Sequence, residues 1–368
     1  MDQMYHPEPL LYAANYEVPE EGEEETRELL TQTLRGISEV TFNDNGHATR
    51  SVHAKSHGLL VGELRVPKDL AAVYAQGIFA APGTWPVVMR LSTVPGDLLD
   101  DGVSTPRGLA IKVIGVGGER LEGSEGDVTQ DFVLVTGQNF GAKTAKQFLS
   151  SLKLLARTTD KAPGVKNALS AVLRGAERAL EAAGGSSGTL KALGGYPATQ
   201  ILGETFYSQA PILYGPYMAK VCVAPVSPAL LRLVNAPIKL SAEPDALRES
   251  VVAFFAAQSA EWELRVQLCT DLARMPIEDS SIAWPEELSP YVTVARLSAP
   301  RQIGWSVERS EAIDDEMAFD PWHGVAAHRP IGSIMRVRKL AYAMSARFRA
   351  EHNHEPIVEP RNLDAIPL

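Results

Sequence analysis

Residues 338–349 read R-K-L-A-Y-A-M-S-A-R-F-R, and no proline or glycine interrupts the longer run 333–350. Such a run predicts one helix. At 3.6 residues per turn, Arg338, Tyr342, Ser345 and Arg349 fall within an arc of roughly 60°. Ile334, Val337, Ala341, Met344 and Phe348 form the neighbouring apolar stripe, and Arg336, Lys339 and Arg347 are expected to face solvent. One tyrosine therefore sits between two arginines at the border of a buried face. A guanidinium one turn away favours the phenolate, and a phenolate is a hard anionic ligand for ferric iron. Most Arg-x-x-x-Tyr pairs are an exposed cation beside a snorkelling ring, so the weight of this reading rests on the residues upstream.

Those upstream residues divide into short apolar or β-branched runs set off by Gly, Pro or Asp. Strands are expected at 58–66, 86–93, 108–114 and 131–136, then again at 200–207, 217–223, 261–268 and 291–297. A short helix is expected at 26–34, a helical insertion at about 144–190 and a helix at 246–260. Four strands, helices, four strands and a terminal helix predict an α+β fold built on an antiparallel eight-stranded β-barrel, not alternating βαβ units. Residues 1–35 are expected to form an acidic arm with its short helix, and 36–368 the barrel domain.

Composition narrows the function. The 368 residues are 45% hydrophobic, which supports a sizeable core. A net charge of -10 argues against nucleic acid or an anionic membrane as partner. Cys222 and Cys269 are the only cysteines, too few for a disulfide scaffold or a structural zinc site. No secretory signal or apolar span is expected, which suggests a cytoplasmic setting. The acidic arm at 1–26 suggests contacts with a second copy, making a homo-oligomer an expected state.

Several motifs invite a chemical reading. Arg50-Ser51-Val52-His53 precedes the first strand, where alternation sends Ser51 and His53 to one side and Val52 to the other. A lone histidine there is more often a satisfied core residue. Arg90 and Ser92 share a strand face and suit an anionic group. Phe132 and Phe140 flank a strand and turn, where two aromatics could wall a flat cofactor or simply fill the core. Gly184-Gly185-Ser186-Ser187-Gly188 lacks the strand-turn-helix context of a nucleophile elbow. Gly115-Val116-Gly117-Gly118 lacks the third glycine of a dinucleotide loop. No carboxylate or cysteine stands at a metal-ligand spacing from His323 and His328.

R-S-V-H-A-K at 50–55, R-L-S-T at 90–93, T-P-R-G-L-A-I-K at 105–112, Phe132, Phe140 and R-K-L-A-Y at 338–342 occur in the order of the haem catalases. Together they resemble the haem-barrel core of that family over about residues 45–350. The resemblance implies haem b with Tyr342 as axial iron ligand and Arg338 as its charge partner. It implies His53 as distal acid/base, oriented by Ser92, and Val52 narrowing the entrance. Arg50, Arg90 and Arg349 would meet the propionates, and Phe132 and Phe140 would wall the distal face. Gly126-Asp127-Val128-Thr129 stands where catalases carry Gly-Asn-Asn-Thr, leaving Asp127 or Thr129 to substitute for the distal asparagine. Ala346 stands where the larger catalases have histidine. The chain length and the segment P-W-H-G-V-A-A-H-R-P-I-G at 321–332 resemble the small catalase-related branch. That branch implies a haem peroxidase reducing organic hydroperoxides or hydrogen peroxide through a ferryl intermediate, with an external electron donor. It also includes allene oxide synthase-like isomerases, and a non-enzymatic haem-binding protein would carry the same motifs.

Overall fold

The computed structural model describes residues 8–156, 195–240 and 243–367. Most of the expected insertion, with its Gly-Gly-Ser-Ser-Gly run, lies outside the described residues. Nine strands form one antiparallel sheet: β1 Ser56–Val66, β2 Gly83–Thr93, β3 Arg107–Ile114, β4 Thr129–Thr136, β5 Phe206–Tyr207, β6 Ile212–Tyr214, β7 Tyr217–Pro225, β8 Ala260–Leu268 and β9 Val292–Ala299. The longer described helices are α1 Glu23–Asn45, α2 Ala145–Ala156, α3 Ala246–Ala257 and α4 Ser333–Asn353.

The sheet closes on itself. β5 and β6 both pair with the same side of β7, so together they fill one position of an eight-stranded ring. Sequence predicts a single strand over 200–207, but a 3-10 turn occupies Ile201–Gly203 and only Phe206–Tyr207 is strand. At the other side, β1 meets β9 over only three residue pairs, centred on Leu64↔Leu297. Beyond them the side chain of Gln302 acts as a strand surrogate. Its Oε1 accepts from Val61 N at 2.9 Å and its Nε2 donates to Val61 O at 2.8 Å. Among the described residues closure leaves no long unpaired edge, which is how barrels avoid edge-to-edge association.

Alternation sorts the strands into two faces. Leu60, Leu64, Met89, Ile111, Phe132, Leu134, Val221 and Leu264 belong to the large inner cluster. The outer face of β1 to β4 carries Leu59, Val61, Val88, Ala110 and Val133, covered by Ile313, Met317, Phe319 and Ile366 from the segments flanking α4. A third cluster joins α1, α2 and α4 through Leu30, Leu34, Ile37, Leu149, Val337 and Ala341. Its stripe of Leu30, Leu34, Ile37 and Thr41 carries α1 past Gly36 to Asn45, well beyond the helix expected to end at Leu34. Among the described residues no helix is long and apolar enough to cross a membrane.

The described part of the arm packs on its own chain. Leu10 N donates to Cys269 O and Tyr12 N to Pro216 O, each at 2.8 Å. Glu17 and Glu23, with Glu278, surround Arg336 at the start of α4 at 2.7–3.0 Å. Arg336 is thus half-buried in an ion cluster rather than facing solvent as its helical position suggests. Burial alone would lower its pKa, but the bonds from Glu23 and Glu278 raise it.

The closing seam has a testable weak point. A Cβ added to Gly62 on β1 would stand 2.1 Å from the carbonyl oxygen of Ser298 on β9. Gly62→Ala is expected to destabilise the chain by about 1–3 kcal/mol, the usual cost of overpacking, read as a lower urea midpoint. An unchanged midpoint would mean that the two strands do not approach this closely.

Candidate active site

One row of the barrel register builds the first half of the site. Ser92 on β2 pairs with Ser56 on β1 and with Gly108 on β3, which pairs in turn with Val135 on β4. His53 lies just before β1 in the left-handed region, with φ +58°, a conformation uncommon outside glycine. Its amide donates to Val94 O at 2.7 Å and the next amide to Pro95 O at 3.0 Å, which holds the turn. The ring then lies over Gly108, where a Cβ would meet Nδ1 at 2.5 Å. Nδ1 and Ser92 Oγ are hydrogen-bonded at 3.0 Å. Nε2 has no hydrogen-bond partner among the described residues. Burial, with the nearby charges of Arg90, Arg338 and Arg50, lowers the imidazole pKa to about 3. The ring is therefore neutral at pH 7.

The second half comes from α4. Arg338 Nη2 donates to Tyr342 Oη, and its guanidinium carbon stands 5.2 Å from the ring centroid. Both residues are half-buried. Three observations make this helix face a neighbour of the His53 turn. Ser51 N donates to Ser345 Oγ at 3.4 Å. Val52 packs against the cluster containing Ala341 and Val337. The charge of Arg338 is felt at the His53 imidazole.

The three remaining arginines converge, but not on open space. Arg90 Nε donates to Asp314 Oδ1 at 2.5 Å, and its Nη2 donates to Ala54 O at 3.0 Å. Arg50 reaches Asp314 Oδ1 at 3.1 Å and the carbonyls of Ile313, Asp314 and Met317 at 2.8–3.0 Å. Arg349 donates to the carbonyls of Asp314, Asp315 and Met317 at 2.5–3.1 Å. Burial alone would raise the Asp314 pKa, yet Arg90 and Arg50 pull it down to about 2. Sequence gave no signal for Asp314, which sits in an ordinary acidic pair. Gly108, quoted within T-P-R-G-L-A-I-K but given no role there, is the space that the imidazole needs.

Other expected residues lie elsewhere. Phe132 pairs with Ile111 and points into the inner cluster beside Phe79 and His328. Arg90, Ala110 and Val133 share the opposite face, so the Phe132 ring does not wall the surface that carries Ser92. Phe140 packs edge-to-face on Phe148 at 4.9 Å. Asp127 Oδ2 stands 3.3 Å from His323 Nε2, and Thr129 Oγ1 donates to Glu359 Oε2 at 2.9 Å. Thr129 pairs with Ile114, six positions along β3 from Gly108, or roughly 20 Å of strand. Neither residue touches the imidazole. The carboxylates beside His323 come from distant stretches, which local spacing could not show, and no group of three His, Cys, Asp or Glu among the described residues could hold a bare metal ion.

The donor set fits a carboxylate-bearing haem. Three largely buried guanidiniums face one internal carboxylate, and Arg349 Nε is buried with no hydrogen-bond partner. Burial, then Arg90 and Arg349, lower the pKa of Arg50; burial also lowers that of Arg349, to about 10, in both cases against the pull of Asp314 and Asp315. The cluster carries more positive charge than its surroundings neutralise, and an anion would correct that. Tyr342 adds a phenol whose oxygen already meets a cation.

No family model matches the chain, and no curated protein matches its sequence. Solved structures do match in shape. A fungal catalase superposes with TM-score 0.60 at 17% identity, covering 90% of this chain and 65% of its own. Catalase A from Saccharomyces cerevisiae gives 0.59 at 17%, covering 90% and 67%. A bacterial catalase gives 0.58 at 18%, covering 88% and 62%. The chain therefore spans about two thirds of the length of these catalases. The architecture is the catalase fold, an α+β fold around a closed antiparallel barrel, and at these identities the likeness establishes the fold alone.

The buried imidazole predicts a pH dependence. Below about pH 6.5 the unfolded chain binds a proton that the folded chain refuses until about pH 3. The difference therefore works against the folded state as pH falls, and vanishes above neutrality. His53→Gln is expected to flatten the loss of stability between pH 6.5 and 3, followed by urea midpoints across that window. Identical slopes in the two proteins would place the wild-type ring in water.

Proposed function

We propose that this chain is a haem-dependent peroxidase that reduces organic hydroperoxides or hydrogen peroxide with electrons from an external donor. One observation carries the reading. A neutral imidazole, fixed through Nδ1 to Ser92 with Nε2 left free, neighbours a helix face presenting a tyrosine–arginine pair. The catalase fold supports it.

In this reading Tyr342 ligates the iron, and Arg50, Arg90 and Arg349 meet the propionate carboxylates. Haem, when bound, supplies the redox chemistry and the place where the peroxide O–O bond breaks. The chain's own part is proton handling. His53 Nε2 takes the proton from the near peroxide oxygen and returns it to the departing oxygen, which leaves as water or alcohol. An imidazole with so low a pKa is in the accepting form at neutral pH but is a weak base. It serves because the proton moves on rather than resting there. Ser92 fixes the tautomer and aim of the ring, and Gly108 leaves room for it. Arg338 keeps a permanent positive charge against Tyr342 Oη, since a guanidinium does not deprotonate in proteins.

Thr129 is bonded to Glu359 and Asp127 stands beside His323, so neither is placed to hold a peroxide beside His53. That favours reduction by an external donor over rapid disproportionation of hydrogen peroxide.

The decisive experiment is an absorption spectrum of the purified protein with haem, followed by peroxide titration with and without a donor. A missing Soret band would end the reading. His53→Ala is expected to keep haem and lose roughly 10²–10⁴-fold in peroxide turnover, the usual contribution of a positioned acid/base; full turnover would remove its role. Tyr342→Phe is expected to weaken haem retention and alter the ferric spectrum, while an unchanged spectrum would rule out phenolate ligation.

A further inference from the structure

Asp314 occupies the point where cationic side chains from three parts of the chain meet. It belongs to a single π-helical turn, Glu311–Asp315, a local irregularity that recurs at functional sites. Its Oδ1 accepts from Arg90 Nε and Arg50 Nη1. Its Oδ2 accepts from Ser56 Oγ at 2.6 Å and Ser310 Oγ at 2.8 Å. Arg349 and Arg50 also hold the carbonyl of the same residue. One internal carboxylate thus engages two of the three guanidiniums that an incoming carboxylate would use.

The arrangement is nevertheless short of negative charge. The neighbouring Asp315 carboxylate is turned to His47, 2.9 Å away at the surface. The other acceptors of Arg50 and Arg349 are carbonyls, which offer dipoles rather than charge. Arg349 Nε is left buried and unbonded. An anion arriving here would gain three cations, but only by competing with Asp314 for two of them.

We propose that Asp314 is an internal stand-in for the anionic groups of the ligand: carboxylates bind Arg50, Arg90 and Arg349 by displacing its side chain. The 311–317 turn, whose carbonyls the same arginines hold, shifts with that exchange. This rests on the peroxidase reading only for the identity of the anion, the propionates of haem. Competition of this kind lowers apparent affinity by the fraction of molecules in which Asp314 has let go. Ser56 and Ser310 set that fraction, because they hold the second carboxylate oxygen. Arg90 also bonds Ala54 O beside His53, so the exchange is felt at the imidazole turn.

The test compares haem with haem dimethyl ester, which lacks the propionate charges, by Soret titration. Asp314→Asn keeps the size of the side chain and removes the competing charge. Losing charge-assisted hydrogen bonds of this sort corresponds to roughly ten- to a hundredfold in binding. Asp314→Asn is therefore expected to tighten haem binding by about that factor and to leave ester binding unchanged. Equal or weaker haem binding, or an equal gain for the ester, would overturn the proposal. Ser310→Ala loosens Asp314 without touching its charge; it should shift haem affinity in the same direction, and it carries the test if Asp314→Asn does not fold. If no form of the chain takes up haem, the peroxidase reading fails while Asp314 is still tested by thermal melts in inorganic phosphate. The larger phosphate-induced rise in Tm is then expected in Asp314→Asn, and equal rises in variant and wild type would sink the idea.

Discussion

Buried positive charge is the constraint around which this molecule is assembled. Lys112 and Arg107 have no exposed surface, and Arg309, Arg90, Arg349 and Lys55 have little. Such groups are rarely buried without partners, because desolvation is costly. Most of them sit on or beside the outer face of β1 to β4, and their partners come from elsewhere in the chain. Lys112 on β3 binds Asp131 on β4 and Glu359 beyond α4, each at 2.7 Å. Arg309 joins Leu59 O on β1 to Gln302 and to Pro367 O near the C-terminus. Lys55 joins Asp101, Leu99 O and Pro244 O. The segments that cover the barrel are thus fixed by specific ionic contacts as well as by apolar burial. Breaking one partner of such a pair typically costs about 3–5 kcal/mol, because the other charge is left uncompensated.

The same physics separates structural clusters from the candidate site. Around Lys112 two carboxylates, Asp131 and Glu359, meet one cation, and burial, with Glu359 nearby, raises the pKa of Asp131 against the pull of Lys112. That cluster has negative groups to spare and is closed on itself. Around Asp314 the balance runs the other way, with three guanidiniums against Asp314 and the more distant Asp315. An excess of buried positive charge beside a neutral imidazole is a poor way to stabilise a fold. It is a reasonable way to receive an anionic cofactor, and it separates this outer-face cluster from the others on the same barrel.

Much of this was legible in the chain before folding. The barrel and the terminal helix follow from runs of apolar residues whose period and boundaries are local properties. His53, Ser92, Arg90, Arg338 and Tyr342 stood out as candidates because their motifs are contiguous. What escaped was decided by faces and by long-range partners. Phe132 and Val133 are adjacent in sequence, and one residue of register decides which of them meets the inner core. Arg336 reads as an exposed helical residue until Glu17, Glu23 and Glu278 arrive from two other segments. Asp314 looks like any surface carboxylate, because nothing near it in sequence announces Arg50, Arg90 or Arg349. Helix α1 overran its expected end because its apolar stripe outweighed the modest cost of one glycine.

The two halves of the site depend on different packing units, and this limits how much the fold alone can guarantee. Ser92 and Gly108 are set by one row of the barrel ladder, in which a slip of one residue would turn every side chain to the other face, and His53 by the turn held to Val94 O and Pro95 O. Tyr342 and Arg338 are set by the docking of α4, which is held by α1 through Leu30, Leu34 and Ile37 and at its start by the carboxylates around Arg336. The halves touch at Ser51 and Ser345 and through Val52. A chain could keep the barrel and still lose the site by a small rotation of α4, since one residue of helical advance turns a side chain by about 100°. The acidic arm therefore has a definite physical task in this molecule. By gripping Arg336, two residues before Arg338, it fixes the rotation of the helix that presents the tyrosine.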